Sequence, residues 1–426
     1  MKELVKMAYS ELNAPMRTIM TPGPVEVDPR VLRAMSTPIL GQFDPAFTTI
    51  MNEVMEMLRL VFQTKNKWAF PIDGTSRSGN EAILCSIIEP GDKVLVPIFG
   101  RFGHLLVEIC ERYGAEVHTM ECPWGEVFEP QAVIAEIKKV SPKITAIVHG
   151  ETSTGCMQPL KEIGWACREL GVLLVVDAVA SIGGTDVKVD EWCIDGLIGG
   201  TQKCLSVPSG MAPITYNERI EEIIQSRKKV ERGIATDEDN QKFSVRRPIT
   251  SNYFDLSMLQ DYWGPRRLNH HTEATSMIYA LREGLRLVLE EGLETRFARH
   301  ELHEAALVEG IKAMGLTLFG DGKNKLPCVT CIEIPKGIDG EAVRAMLLNE
   351  FSIEIASSFG PLHGKIWRIG TMGFSCRKEN ILFVLASLEA VLLRQGFQVN
   401  RGEALQAALD VYLGKKERMV ASQGYL

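Results

Sequence analysis

The chain predicts an α/β protein with a large unit built on a mostly parallel sheet and a smaller C-terminal α/β unit. Three observations carry this reading. From about residue 67 to 216, short apolar runs alternate with amphipathic stretches, the rhythm of crossover units that cover both faces of a parallel sheet. Helical patterning then dominates from 218 to 314. Strand and helix patterns resume between 328 and 394.

In chain order, the first unit offers strands at 68–72, 94–97, 116–120, 144–149 and 172–177, with helices at 80–88, 102–113, 130–140 and 160–170. The stretch 273–291 is the longest periodic run of the helical region. The second unit offers strands at 328–334, 353–356 and 366–370 and helices at 340–350 and 378–394. Residues 401–413 can form one amphipathic helix that packs on a domain or on a partner. The expected division is an N-terminal arm 1–20, a large domain 21–290, a small C-terminal domain 291–400 and a tail helix 401–426. Ligands of such sheets bind beyond the carboxyl ends of strands, and Gly74, Thr152, Asp177 and Lys203 all follow strands.

With 426 residues, 45% hydrophobic and 24% charged, the chain is long enough for two substantial cores. A formal charge of −7 gives no basic excess, which argues against nucleic acid or an anionic membrane as partners. Met1-Lys2-Glu3-Leu4-Val5-Lys6 interleaves charges without an apolar leader and no run reaches membrane-spanning length, so a cytoplasmic location is expected. Gly424-Tyr425-Leu426 does not match the simple peroxisomal address.

Ten scattered cysteines read as reduced thiols. Cys328 and Cys331 lie three apart in a strand and point to opposite faces, which suits neither chelation nor an easy disulfide. His300 and His303 lack the i, i+4 spacing of a helical zinc site, so no metal is expected from spacing.

The chemistry centres on Lys203, in Gly199-Gly200-Thr201-Gln202-Lys203, and on Asp177, which ends the run Val172-Leu173-Leu174-Val175-Val176. Taken singly, such a lysine is a solvated loop residue and such an aspartate a cap or turn residue. Together they suit pyridoxal phosphate, which needs an amine to hold its aldehyde and an anion against its pyridine nitrogen.

Several further segments line up in order: Pro22-Gly23-Pro24, His149-Gly150-Glu151-Thr152-Ser153-Thr154-Gly155, Gln158-Pro159-Leu160, Val176-Asp177-Ala178-Val179-Ala180-Ser181, Gly200-Thr201-Gln202-Lys203 and Trp367-Arg368-Ile369-Gly370. Over roughly 19–393 the chain resembles class V pyridoxal phosphate aminotransferases, and within them the alanine–glyoxylate and serine–pyruvate group. The resemblance implies the fold type I architecture, with a mostly parallel seven-stranded sheet in the large domain.

It also implies roles. Lys203 holds the cofactor aldehyde and shuttles a proton, and Asp177 pairs with the pyridinium nitrogen. Ser76, Arg77 and Ser78, in Gly74-Thr75-Ser76-Arg77-Ser78-Gly79, take the phosphate positions at a helix start, with Gln202 as neighbour. The family often carries Ser-Gly-His there, so Arg77 departs from the pattern. Phe102 matches an aromatic that stacks on the ring, with plain core packing as the alternative. Thr152 matches a hydroxyl residue near the ring oxygen and the substrate carboxylate. Arg368 reads as the carboxylate clamp or as a structural ion pair, and Gly23 could add a backbone contact. Thr272 matches a residue that reaches the phosphate from the other subunit of a homodimer; the alternative is an N-cap for the next helix.

Asn269 stands where the alanine-using relatives carry tyrosine, and Gln42 where a small serine is typical. A methyl side chain gains nothing from two amides, whereas a ureido group presents N–H donors and a carbonyl acceptor that amides complement. This resembles the branch of the family that moves the amino group of (S)-ureidoglycine to glyoxylate in purine catabolism, giving oxalurate and glycine, with Asn269 and Thr272 contributed across the dimer interface. The alternative is that either amide only bonds backbone. A class V lyase would share Lys203 and Asp177 but needs a mobile cysteine, for which Cys376 is the nearest candidate.

Overall fold

The computed structural model describes residues 11–242 and 247–414. The first ten residues and the end of the expected tail, from 415 on, lie outside the described residues.

Seven strands build the central sheet: β1 (Trp68–Asp73), β2 (Lys93–Ile98), β3 (Glu116–Glu121), β4 (Ile144–Val148), β5 (Leu173–Asp177), β6 (Gly196–Ile198) and β7 (Met211–Tyr216). Their order is β1-β7-β6-β5-β4-β2-β3. Only β7 runs against its neighbours, and the remaining pairs are parallel. Strands β4 to β7 are buried at every position, which explains their largely apolar sequences: with helices on both faces no position meets water. β3 closes one edge and mixes exposed with half-covered residues.

Because six strands share one direction, their carboxyl ends form one rim. At Gly74 (φ +128) the chain leaves β1 and enters helix α1 (Ser76–Ile87) at once. The helix therefore starts four residues before the expected 80, and Ser76-Arg77-Ser78 becomes its first turn. β2 leads likewise into α2 (Arg101–Arg112).

Two helices meet at Gly292 (φ +82): α3 (Thr275–Glu291) and α4 (Leu293–Ala313). The longest helix is α4, with 21 residues, rather than the 273–291 stretch. Glu273 and Ala274 stay in the loop, where the Glu273 amide donates to Gln42 Oε1 (3.2 Å), and Ala274 rather than Thr272 takes the cap position of α3.

Two separate cores flank this break. The first surrounds the seven-stranded sheet and includes Phe70, Ile147, Val175, Ile214, Ile278 and Val288. The second includes Leu307, Ile332, Trp367, Leu385 and Ala408. It lies against a small antiparallel sheet of β8 (Val329–Glu333), β9 (Ala356–Ser357) and β10 (Ile366–Gly370), ordered β8-β10-β9. Helix α5 (Lys378–Arg394) falls where the pattern placed it. The tail forms a helix at Glu403–Tyr412 and buries Ala404 and Ala408 in the second core. Thr18–Ile19 pairs in parallel with Ile353–Glu354, and Met20 joins the second core. Among the described residues no helix is long and apolar enough to cross a membrane.

Candidate active site

A cleft of about 290 Å³ opens at the carboxyl rim of the sheet. Of the residues singled out from sequence, Gly23, Ser76, Arg77, Phe102, Thr152, Asp177, Gln202, Lys203 and Arg368 line it. Ser78, Gln42, Asn269 and Thr272 do not.

Lys203 sits in the turn after β6, and its Nζ donates to the carbonyl of Pro22. Burial, with Arg368 adding to it, pushes the amine down to about 8, because a desolvated ammonium beside a second cation is disfavoured. A Cβ on Gly23 would lie 2.5 Å from Nζ, and φ there is +98, so only glycine lets the chain pass this close to the lysine.

Asp177 ends β5 and is buried. Its Oδ2 accepts from Asn80 Nδ2 (2.9 Å) and its Oδ1 from the Val179 amide (3.0 Å). Burial raises its pKa against these two hydrogen bonds. Asn80 was not singled out from sequence; its signal is the i, i+4 relation to Ser76 on one face of α1.

At the start of α1 the Thr75 side chain makes no capping bond, so the first-turn amides keep the unpaired character that suits an anion. Ser76 Oγ donates to Gln202 Oε1 (3.1 Å). Ser78 points inward instead: its amide and its hydroxyl both donate to the Thr75 carbonyl (2.7 and 2.8 Å), leaving neither for the cleft.

Phe102 lies in the first turn of α2, whose cap comes from another segment. The Phe102 amide donates to Glu151 Oε2 (2.9 Å), the Arg101 amide to Ser153 Oγ (3.1 Å), and Ser153 Oγ to Glu151 Oε1 (2.6 Å). Glu151 is fully buried, and burial raises its pKa. Sequence reasoning quoted Glu151 within a motif without assigning it work; the signal was an acid and a serine two residues apart just before the expected turn.

Arg368, on β10, reaches into the cleft from the second core. Its Nε donates to the Ser357 carbonyl (2.7 Å) and its Nη1 to the Thr152 carbonyl (3.0 Å), and its guanidinium lies 4.6 Å from the centroid of the Phe359 ring. Among the described ion pairs it has none, so the structural-salt-bridge alternative finds no partner there. Burial pushes it down to about 10. Arg101 lies over the same Phe359 ring at 4.1 Å.

The two amides meet outside this cleft. Gln42 Nε2 donates to Asn269 Oδ1 (2.8 Å), and Asn269 and Thr272 are exposed. Cys376 is fully buried and its thiol is pushed up to about 12, the opposite of a mobile nucleophile. Cys328 faces not Cys331 but Cys204, with sulfurs 3.4 Å apart; both thiols are free.

A buried amine of lowered basicity, a buried carboxylate in the same cleft, an uncapped helix start and a guanidinium without an ionic partner among the described residues form a donor set that matches pyridoxal 5′-phosphate group by group.

Comparison with known proteins agrees. Residues 36–366 match the family model described as Aminotransferase class-V. The chain is 74% identical over 402 residues to the (S)-ureidoglycine–glyoxylate transaminase of Bacillus subtilis, covering 94% of this chain and 97% of that one. A crystal structure of the ureidoglycine–glyoxylate aminotransferase from Bacillus subtilis has TM-score 0.90 at 71% identity, covering 95% of this chain and all of that one. A crystal structure of an alanine–glyoxylate aminotransferase from Nostoc sp. follows at TM-score 0.84 and 39% identity, covering 90% and 97%. The cleft and these likenesses lead to one conclusion: the chain belongs to the class V aminotransferases, enzymes that depend on pyridoxal 5′-phosphate.

Proposed function

We propose that this aminotransferase takes the amino group of (S)-ureidoglycine and passes it to glyoxylate, yielding oxalurate and glycine in purine catabolism. The observation that carries the donor is the Gln42–Asn269 amide pair, supported by the likeness to the ureidoglycine-using relative. A ureido group offers N–H donors and a carbonyl in one plane, and two amides held side by side present the complementary atoms.

When bound, pyridoxal 5′-phosphate supplies an electrophilic carbon and a ring that spreads negative charge. The chain supplies the rest. Asp177 would hold a proton at the nitrogen of the bound ring through a charge-assisted hydrogen bond. The α1 amides, Ser76, Arg77 and Gln202 hold the phosphate, with Ser78 shaping the turn by its bonds to Thr75. Phe102, which lines the cleft, would pack against the bound ring. Arg368 grips the substrate carboxylate, with Thr152 and Gly23 beside it, in a geometry that donor and acceptor use in turn. Lys203 Nζ, an amine whose basicity burial lowers, moves the proton at the substrate α-carbon.

Gln42, Asn269 and Thr272 act on the cleft of a second copy in a homodimer. Their position outside their own cleft, beside exposed Ile39 (66%) and Phe43 (64%), supports this. The proposed domain limits are 21–290 and 291–400, supported by the helix break at Gly292, with Met20, Ala404 and Ala408 from the flanking segments joining the second core; the cytoplasm is the proposed site of action.

The test uses purified holo-protein without acceptor, mixed separately with ureidoglycine generated in situ, with alanine and with serine, while the cofactor absorption is followed. Fast conversion by ureidoglycine, reversed by glyoxylate, is expected. Faster conversion by alanine or serine overturns the donor and leaves the aminotransferase intact.

A further inference from the structure

Beside the cleft, a second cluster has no part in the reaction above. Asp73 is the last residue of β1, directly before the Gly74-Thr75 turn, and His271 and Glu273 lie in the loop before α3. His271 Nε2 is 3.1 Å from Asp73 Oδ2 and 3.8 Å from Glu273 Oε2. Neither contact is aligned as a hydrogen bond: His271 Nε2, Asp73 Oδ1 and Glu273 Oε2 are all buried without a hydrogen-bond partner. So is the hydroxyl of Tyr262, whose ring lies 4.9 Å from that of His271. The Glu273 side chain is 1% exposed. Among the described ion pairs, neither carboxylate meets a lysine or arginine, and one imidazole is their sole ionic neighbour. A buried carboxylate and a half-buried one facing one imidazole are short of positive charge.

The geometry points to a cation. We propose that Asp73, His271 and Glu273 bind one divalent transition-metal ion of the zinc class. Ligand atoms around a tetrahedral zinc at roughly 2.0–2.2 Å stand about 3.4 Å apart, and the two measured separations bracket that value. One imidazole nitrogen with two carboxylates is a donor set that zinc accepts. The other ring nitrogen of His271 is already engaged, its Nδ1 lying 2.8 Å from Nδ1 of His270. Such an outer contact orients a ligating imidazole. The ion would tie the turn that follows β1, which leads into Ser76 and Arg77, to the loop that carries Asn269 and Thr272. It is a brace for two loops, its three ligands lying outside the lining of the cleft, and it does not depend on which donor the enzyme uses.

The test starts from purified holo-protein. Metal content is measured by plasma mass spectrometry as isolated. After dialysis against a chelator, zinc chloride is titrated in by calorimetry, and cobalt(II) is added to a separate sample for its visible spectrum. The expected result is about one metal ion per chain, a melting temperature that falls on chelation and recovers with zinc, and cobalt bands that Glu273→Gln abolishes. Silent calorimetry and absent cobalt bands in the unaltered protein would overturn the proposal. So would a Glu273→Gln variant that binds metal as the parent does. In those cases a proton shared between Asp73 and Glu273 accounts for the cluster. The cobalt spectrum of the unaltered chain decides the matter even where a variant folds poorly.

Discussion

Asn80 and Asp177, 97 positions apart, share a 2.9 Å hydrogen bond at the floor of the cleft. It makes one face of α1 responsible both for the anion site at the helix start and for the state of the carboxylate on β5.

Removing Asn80 therefore acts through Asp177. In Asn80→Ala the carboxylate loses a donor that lowers its pKa, while the burial that raises it remains. The acid limb of the pH–rate profile is expected to move to higher pH. At neutral pH, kcat/KM should fall about tenfold to a hundredfold, as expected for about 1.5–3 kcal/mol of hydrogen bonding to a charged group. Steady-state kinetics across pH 5–9 check this; a uniform fall without a shifted limb would mean that the side chain only packs.

Lys203 links stability to pH in the cofactor-free protein. Its amine sits at about 8 in the folded chain against an ordinary 10.5, so between these values the unfolded chain holds more protons. Stability contributed by this site must then rise as pH climbs through that window. The gain is at most about 3.5 kcal/mol, taking about 1.4 kcal/mol per unit. Denaturant unfolding of apo-protein at pH 7.5 and 10 should show the gain, and Lys203→Met should lack it. Equal pH dependence in both proteins would refute this burial argument.

Gly100 tests the borrowed cap of α2. A Cβ there would stand 2.3 Å from Glu151 Cγ and 2.7 Å from Ser153 Oγ. Gly100→Ala is expected to push both capping groups off the Arg101 and Phe102 amides, costing about 1–3 kcal/mol through unpaired buried groups and weakening cofactor retention as Phe102 shifts. Thermal unfolding and cofactor titration measure the two effects, and a variant that keeps both unchanged shows that the cap yields without consequence.

The amide pair decides the donor. Gln42→Ser combined with Asn269→Tyr should lower the ratio of ureidoglycine to alanine half-reaction rates by about tenfold or more, since amides left facing a methyl group gain nothing and a lost ureido partner costs hydrogen bonds. Hybrid dimers of Lys203→Ala chains with doubly substituted chains add a second reading. If the amides serve the neighbour's cleft, the one intact lysine in each hybrid is paired with native amides from the Lys203→Ala chain and should prefer ureidoglycine. An alanine preference in the hybrid would place the amides with their own lysine.

Much of this was readable from the chain because its signals are local. Strand-ending residues at the carboxyl rim put Gly74, Asp177 and Lys203 on one edge as soon as the sheet is recognised as parallel. What stayed hidden depended on where distant segments meet. Glu151 and Ser153 cap a helix some fifty residues earlier, and nothing around Gly100 announces a cap from elsewhere. Ser78 looked like Ser76, yet two further steps along the first turn of a helix are enough to aim its hydroxyl back at Thr75. The 273–291 run misplaced the start of α3 because its period continues through residues that tertiary contacts hold in the loop. Glu273 is pinned to Gln42, a contact no window of sequence contains.

The paired Thr18–Ile19 strand has a mechanical meaning. The Gly370 amide, two residues beyond Arg368 on β10, donates to the Met20 carbonyl (2.8 Å), and two residues beyond Met20 the Pro22 carbonyl receives the Lys203 amine. A short lace of main chain thus runs from the guanidinium of one core to the amine of the other. The gap between the group that reads a carboxylate and the group that moves a proton is spanned by six residues of backbone, Arg368 to Gly370 and Met20 to Pro22, tied by one main-chain hydrogen bond.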